Sequence, residues 1–346
     1  CLAFRRIPTV SASNCVVAPI ENLHRNLLRS VGATLRELSP IGALIEGFDL
    51  ADEVPSEEIL QALESVMANR GFLVFRTDQA LSPENFLRAS CWWGGRELHS
   101  THSVHPATPA VNPHIFRLSN DPSEGILGVG PQWHNDGSFI PQTFSHAGYH
   151  MVRAAEQGGG TYFSHQAAAY EALQPGQQEY WSRLSSVNSA SGVVHPLVHQ
   201  HPITGHRCIW LHLGMTGAVV EKLPTENNFR LLDRDSLTQL CRAYASVLDE
   251  GIEAGYTTQY EYRQNDCVFI DNLAVAHRAA PQAHLPSSTQ GTRILHRSTV
   301  RGIHPLLPLD GLPAQLDLYG PSPFGDGIWQ PGGTGFRWDA DAPMQN

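Results

Sequence analysis

The sequence lacks the cysteine pattern of a disulfide-stabilised or zinc-binding protein. Its 346 residues contain six cysteines, and none of them forms a Cys-x-x-Cys pair. Scattered cysteines are typical of free thiols in a reducing compartment, and a chain of this length can bury a sufficient core without cross-links. We therefore expect free, mostly buried thiols and neither a zinc finger nor a redox motif.

Basic charge and long apolar runs are also scarce. The chain has 33 acidic residues against 23 Lys and Arg, which gives a formal net charge of −10. An acidic balance repels phosphate backbones, so we expect no nucleic-acid partner. No apolar run approaches the roughly 20 residues that a membrane-spanning helix needs, so we expect no membrane partner. The partner that remains is a small molecule, and the sequence leaves homo-oligomerisation open.

Acidic residues are rare at the start of the chain, where Glu21 is the one acid among residues 1–32. An Arg-bearing, acid-poor start is typical of an organelle transit segment, although a surface extension of a cytoplasmic enzyme has the same composition. The first residue, Cys1, favours a processed or trimmed product. We expect residues 1–32 to be an N-terminal extension, and the location to be cytoplasmic, or organellar if that segment is the remnant of a transit peptide.

Short strands separated by Gly and Pro dominate the rest of the chain, which favours an all-β core with helical insertions over alternating βαβ units. We predict a single domain over residues 33–346, with a Pro/Gly-rich tail from about residue 303. Strands are predicted at 33–38, 41–48, 72–75, 148–152, 160–163, 193–199, 208–212, 267–271 and 293–300. Helices are predicted after Ser56 and after Ser82, and at 166–184 and 234–250.

The segment Trp133-His-Asn-Asp-Gly-Ser-Phe139 carries the first chemical signal. Residues i and i+2 of an extended segment point to the same side, so His134 and Asp136 can face one metal ion. A third ligand is available in His277, which is predicted to end a strongly apolar strand that begins at Phe269. Two histidines and one carboxylate leave open positions on an octahedral ion, the arrangement used by Fe(II) oxygenases.

Two arginines follow the third candidate ligand. Arg293 and Arg297 are four residues apart in a strand-like stretch, so they are expected on one side of it. A 2-oxo acid that chelates a metal leaves its far carboxylate several ångströms away, and a buried Arg offers that carboxylate a bidentate fork. Two surface arginines on an edge strand are the structural alternative.

Two other functions use the same three side chains. A non-catalytic, metal-binding jelly-roll protein would keep the ligands as a binding or structural site. A zinc hydrolase would use His134, Asp136 and His277 as ligands, but it needs a water-activating acid or base, and none is evident near them in the sequence.

Together, these segments resemble the taurine dioxygenase and chlorophenoxyacetate dioxygenase (TauD/TfdA) family. The resemblance runs in order from about residue 33 to residue 302 and is specific because many motifs match jointly. It is carried by Trp133-His-Asn-Asp-Gly-Ser-Phe, Gly158-Gly-Gly-Thr-Tyr-Phe, Ala167-Ala-Ala-Tyr-Glu-Ala-Leu, His195-Pro-Leu-Val, His201-Pro-Ile-Thr-Gly, Asn265-Asp-Cys-Val-Phe-Ile-Asp-Asn and Arg293-Ile-Leu-His-Arg297.

The resemblance implies a double-stranded β-helix, or jelly-roll, with Fe(II) held by His134, Asp136 and His277. It implies that Thr161 and Arg293 bind the distal carboxylate of 2-oxoglutarate, and that Arg297 binds an anionic group of the substrate or completes the co-substrate pocket. The implied reaction consumes O2 and 2-oxoglutarate, releases succinate and CO2, and oxidises an unactivated C–H bond. Hydroxylation is the default outcome, and desaturation or cyclisation uses the same residues.

The chain departs from the taurine enzyme in the loop that begins at Arg96 and in the stretch that begins at Arg117. Taurine is therefore not predicted as the substrate, although a small anionic molecule is. Because the first loop is expected to overhang the metal, His102 is a candidate substrate contact, with an exposed loop position as the alternative. Asn120 is a candidate pocket residue, with a turn cap as the alternative.

Overall fold

The computed structural model describes residues 17–52, 54–101, 103–223 and 229–310. Within these ranges the α-helices are α1 Asn22–Ser30, α2 Glu57–Arg70, α3 Pro83–Ser90, α4 Gln166–Ala172, α5 Pro175–Trp181, α6 Arg234–Ala254 and α7 Ser287–Gln290. Short 3-10 helices lie at Pro109–Val111, Leu213–Met215 and Pro281–His284.

Strands form most of the core. The first eight are β1 Thr34–Glu37, β2 Ala43–Glu46, β3 Phe72–Arg76, β4 Phe116–Ser119, β5 Phe144–Arg153, β6 Thr161–His165, β7 Leu184–Asn188 and β8 Val194–Pro196. The remaining described strands are β9 Val198–Gln200, β10 Arg207–Ile209, β11 Thr216–Lys222, β12 Phe229–Leu231, β13 Thr257–Tyr260, β14 Cys267–Asp271, β15 Val275–Ala279 and β16 Ile294–Arg301.

A seven-stranded sheet in the order β1-β2-β3-β14-β5-β16-β4 is the largest layer. Its pairings are antiparallel except for β2 with β3. Smaller sheets have the orders β13-β6-β15, β12-β11-β7-β8 and β10-β9. The main hydrophobic cluster joins residues of the large sheet to residues of the smaller sheets, so the core lies between them.

The side chains of β3 and β14 alternate between two hydrophobic clusters, one on each face of the large sheet. Side chains at i and i+2 share a face. Val74 and Val268 belong to the main core, whereas Leu73 and Phe269 belong to a second cluster with residues of α1, α2 and α3. Both faces are apolar, and therefore these strands have continuous hydrophobic sequences.

Helix starts follow the expected capping chemistry. The Ser56 side chain accepts a hydrogen bond from the Ile59 amide, and the Ser82 side chain accepts one from the Asn85 amide. A serine oxygen at this position satisfies an amide that has no partner inside the helix.

The described part of the predicted N-terminal extension packs onto the domain. In α1, Leu28 is fully buried, and Ile20 joins the same cluster beneath the large sheet. Residues 1–16 lie outside the described residues, as does most of the predicted tail, 311–346. The domain boundary at residue 33 stays a prediction.

The strand predicted at 267–271 is confirmed as β14, but the expectation that His277 ends the same apolar strand is wrong. The apolar run from Phe269 to His277 is two strands, because the chain turns at residues 272–274 between β14 and β15. His277 is therefore the central residue of β15 and not the end of a longer strand. Strands β4, β7, β11, β12 and β13 were also not predicted, because their short polar or Gly-containing sequences resemble loops.

Described cysteines match the expectation of free thiols. Cys91, Cys208, Cys241 and Cys267 are unpaired, and the last three are buried. Cys1 and Cys15 lie outside the described residues. None of the helices in the described ranges is long and apolar enough to cross a bilayer.

Candidate metal centre and co-substrate pocket

Backbone pairing places His134 beside His277. The His134 amide donates to the His277 carbonyl at 3.0 Å, and the His277 amide donates to the His134 carbonyl at 2.9 Å. This two-way pairing is a single antiparallel bridge, in which directly opposed side chains point to the same face. Their ring centroids lie 4.1 Å apart.

Asp136 completes a cluster of three potential ligands. Its Oδ1 lies 3.9 Å from His134 Nε2, and its Oδ2 lies 3.8 Å from His277 Nε2. One ligand atom from each side chain lies within 4.8 Å of the others, and all three residues are buried. In the described part of the chain this is the one group of three or more His, Cys, Asp or Glu residues that meets that criterion.

Protonation of the cluster suits a divalent cation. Burial lowers the pKa of His134 and of His277, although the carboxylate of Asp136 opposes both shifts. Burial alone would raise the pKa of Asp136, but Arg297 and the two histidines lower it to about 2. The set is therefore two neutral imidazoles and one carboxylate, the protonation states that metal binding requires.

A buried oxygen without a hydrogen-bond partner and the tautomer of His134 also fit a metal ion. Asp136 Oδ2 is buried without a hydrogen-bond partner, which is costly for an ionised oxygen. His134 Nδ1 donates to the Gln132 carbonyl at 2.8 Å, because a carbonyl can only accept. That bond fixes the tautomer and leaves the Nε2 lone pair facing Asp136. The donor set of two nitrogens and one oxygen suits Fe(II).

An amide network holds the segment that carries the first two ligands. Asn272, in the turn before β15, accepts from the Asp136 amide at 2.8 Å and donates to the Asp136 carbonyl at 2.9 Å. The Asn135 side chain points the other way and donates to the Asn272 and Val275 carbonyls. The metal-facing segment is therefore fixed to β15 by side chains as well as by backbone.

Arg297 lies at the metal cluster. Its Nη1 donates to Asp136 Oδ1 at 2.8 Å, and its guanidinium lies 4.7 Å from the centre of the Phe116 ring. On the other side, Tyr149 is its cross-strand partner in β5, and the Tyr149 hydroxyl lies 2.9 Å from His277 Nε2. A cation and a hydroxyl group thus flank the ligand atoms.

Thr161 is the first residue of β6, and Arg293 directly precedes β16. Both are buried, at 8% and 7% exposure. Gly159 has a φ of +86°, and a Cβ there would lie 3.0 Å from Arg293 Cδ, so a glycine is needed beside the arginine. None of the ion pairs in the described residues involves Arg293, and its Nε is buried without a partner.

Strand pairing sets the distance between this pocket and the metal cluster. His277 is opposite Phe163 on β6, and Ala279 is opposite Thr161. Two residues along a strand correspond to roughly 7 Å. Thr161 and Phe163 share one face of β6, and the Phe163 ring lies 6.4 Å from the His277 ring. The spacing suits a short dicarboxylate that reaches from the metal to Arg293.

Of the two remaining predicted substrate contacts, the structure describes Asn120 but not His102. His102 lies outside the described residues. Asn120 is buried, but its amide is used by the backbone: it donates to the Leu285 and Gly291 carbonyls and accepts from the Arg293 amide at 2.8 Å. These bonds account for Asn120 as a residue that positions Arg293, and they leave its predicted substrate contact without structural support.

Three residues of the site were missed in the sequence. Tyr149 lies in a predicted strand, but alternation alone does not say which face of a strand points to the metal. His212 follows β10, and its ring lies 4.9 Å from that of His134. Tyr262 donates to Thr161 Oγ1 at 3.0 Å. The sequence around His212 and around Tyr262 has no residue spacing that indicates metal or anion binding.

Comparison with known proteins identifies the family. The family model "Taurine catabolism dioxygenase TauD, TfdA family" matches residues 34–299. The chain belongs to the TauD/TfdA family. A taurine dioxygenase from Burkholderia xenovorans has the same fold, with a TM-score of 0.64 and 23% identity over 81% of this chain and 92% of that one. The predicted jelly-roll core with helical insertions is thereby confirmed.

Curated relatives of this TauD/TfdA member are similar over most of their length. Pentalenolactone F synthase of Streptomyces arenae is 26% identical over 74% of this chain and 91% of its own. An alpha-ketoglutarate-dependent sulfate ester dioxygenase of Pseudomonas putida is 24% identical over 77% of this chain and 88% of its own. The chain is an Fe(II)- and 2-oxoglutarate-dependent dioxygenase that uses O2, as the resemblance implied.

Proposed function

We propose that this dioxygenase oxidises an unactivated C–H bond of a small organic acid, with hydroxylation as the default outcome. His134, Asp136 and His277 would hold the iron, Thr161 and Arg293 the distal carboxylate of 2-oxoglutarate, and Arg297 the acidic group of the substrate. When bound, Fe(II) supplies O2 activation, driven by oxidative decarboxylation of 2-oxoglutarate to succinate and CO2.

The observation that carries the proposal is the isolated charge of Arg293. Burial lowers the pKa of this guanidinium, and no carboxylate of the described residues pairs with it. An unpaired buried cation is costly, so such a residue implies an anionic ligand. The pocket lies about two strand residues from the metal cluster, which fits a dicarboxylate with one end at each.

Arg297 supports an anionic substrate. Its side chain is 18% exposed and its guanidinium pairs with Asp136, so it can reach a ligand beside the metal cluster. The Phe116 ring under the guanidinium restricts its orientation and keeps water from that side. Among the relatives, the Pseudomonas putida enzyme is named for a sulfate ester. Sulfonates, sulfate esters and carboxylates share the charged oxygens that an arginine fork binds.

Succinate release tests the proposal. Purified protein would be loaded with Fe(II) and 2-oxoglutarate under nitrogen, where a visible charge-transfer band reports chelation of the co-substrate. Air would then be admitted with alkanesulfonates, alkyl sulfate esters or small carboxylates, and succinate and oxidised product would be measured. We expect at least one acid to raise succinate release above the substrate-free rate.

Matched variants separate the assigned roles. Arg297→Gln is expected to raise KM for that acid about 10- to 100-fold while the 2-oxoglutarate requirement stays nearly unchanged. Asp136→Ala is expected to abolish the charge-transfer band and turnover. A protein that binds metal without forming the band, or that hydrolyses a substrate with Zn(II) and no 2-oxoglutarate, would contradict the proposal.

A further inference from the structure

A half-buried tyrosine, Tyr262, lies behind the co-substrate anchor. The Tyr262 hydroxyl donates to Thr161 Oγ1 at 3.0 Å. Burial raises the pKa of Tyr262 despite Arg293, so its hydroxyl keeps its proton and remains a donor at neutral pH.

This hydrogen bond determines what the threonine can offer a ligand. A threonine hydroxyl has one proton to donate and lone pairs that accept. Tyr262 already supplies a donor to the oxygen of Thr161, so the proton of Thr161 is left to point elsewhere. A carboxylate accepts only, and it therefore requires Thr161 to act as a donor. The tyrosine selects the hydroxyl orientation that a carboxylate needs.

We infer that Tyr262 is a positioning residue for 2-oxoglutarate, which acts through Thr161 and orients its hydroxyl toward the distal carboxylate beside Arg293. The inference rests on the proposed role of Thr161 and Arg293 as co-substrate anchors. It goes beyond that role, because Tyr262 need not touch the ligand. Hydrogen bonds that run in series from Tyr262 through Thr161 to the carboxylate also strengthen one another in a site that excludes water.

Direct binding provides the test. Protein loaded with Mn(II) would be titrated with 2-oxoglutarate under nitrogen by calorimetry, so that no turnover occurs. Thr161→Val is expected to weaken binding about 10-fold, as for loss of a hydrogen bond to a charged group. Tyr262→Phe is expected to weaken it about 3- to 10-fold. The double variant is expected to bind like Thr161→Val alone, because the tyrosine acts through the threonine.

Tyr260 offers a matched control. It is buried, its ring lies 5.2 Å from that of Tyr262, and its hydroxyl donates to Asp266 Oδ2 at 2.6 Å instead of to the pocket. Tyr260→Phe removes a comparable hydrogen-bonded hydroxyl and is expected to leave 2-oxoglutarate binding within about twofold of wild type. Mn(II) affinity is expected to be unchanged in both tyrosine variants.

A co-substrate analogue without the distal carboxylate distinguishes a positioning role of Tyr262 from general damage to the site. 2-Oxovalerate chelates the metal but lacks the distal carboxylate, so its affinity is expected to be the same in wild type and in Tyr262→Phe. Equal loss for both oxo acids would overturn the inference. Thr161→Ser, which keeps the hydroxyl, provides a second background: adding Tyr262→Phe to it should again weaken 2-oxoglutarate binding.

The results that would contradict the inference differ from those that would contradict the proposed function. If Thr161→Val weakens 2-oxoglutarate binding and Tyr262→Phe does not, the positioning role is wrong and the anchor stands. Additive losses in the double variant would likewise overturn the action through Thr161. If Thr161→Val has no effect on binding, the anchor assignment itself fails.

Discussion

At the residue scale, two buried charged side chains with unpaired polar atoms define the site. Arg293 has a buried charge without a carboxylate partner, and Asp136 has a buried oxygen without a hydrogen-bond partner. Folding alone does not favour such groups. Under the proposed function, each would be met by a ligand of opposite charge: an anion at Arg293 and a cation at Asp136.

The charge of Arg293 leads to a specific expectation. Arg293→Ala should raise KM for 2-oxoglutarate about 10- to 100-fold, because a hydrogen-bonded charge pair is lost. Arg293→Lys keeps the charge but not the fork, and it should restore only part of the affinity. Steady-state kinetics with 2-oxoglutarate as the varied substrate would measure both. An unchanged requirement in Arg293→Ala would show that the carboxylate binds elsewhere.

At the element scale, the turn between β14 and β15 determines the metal geometry. Asn272 bonds to both backbone groups of Asp136 and to the Phe144 carbonyl at 2.7 Å. It thereby joins the ligand segment, β5 and β15. Because all of these groups are buried, removal of the amide leaves them without partners.

Loss of this turn contact is expected to reduce both stability and metal affinity. Asn272→Ala should lower the free energy of unfolding by about 3 kcal/mol, since it removes three buried hydrogen bonds. Urea unfolding of the metal-free protein would measure this, and Mn(II) titration would show weaker binding. Asn69→Ala serves as the control, because that amide donates only to the Ser65 carbonyl within α2. Equal, small losses in both variants would contradict the role of Asn272.

For the whole molecule, buried neutral histidines dominate the pH dependence of stability. Burial lowers the pKa of His150, His165, His195 and His199 to about 4. In the unfolded chain the same groups titrate near the usual value of about 6.5. Between these values the unfolded state binds more protons, so the free energy of unfolding falls as pH falls from about 6.5 to about 4.

Thermal unfolding across pH would measure this linkage. We expect Tm to fall steadily from pH 7 to pH 5, because each histidine contributes up to about 1.4 kcal/mol per pH unit. His150 has no hydrogen-bond partner at either ring nitrogen and packs 5.7 Å from the Phe86 ring, so His150→Leu removes one titrating group. That variant should show a shallower slope. A Tm that is constant across this range would contradict the expectation.

Local chemistry in the sequence was sufficient for much of the fold and site. The caps Ser56 and Ser82, the i and i+2 relation of His134 and Asp136, and the family motifs required no tertiary information. The family and the jelly-roll fold are confirmed by comparison. These features were predictable because they depend on residues near one another in the chain, or on motifs that occur in a fixed order.

Tertiary structure alone decided the contacts between distant segments. The apolar run from Phe269 to His277 reads as one strand, and only the packing of Asn272 against Asp136 shows why the chain turns there. Tyr262 lies 101 residues from Thr161, and Arg297 lies 161 residues from Asp136. Pairings of this kind depend on strand order and register, which short-range periodicity does not specify.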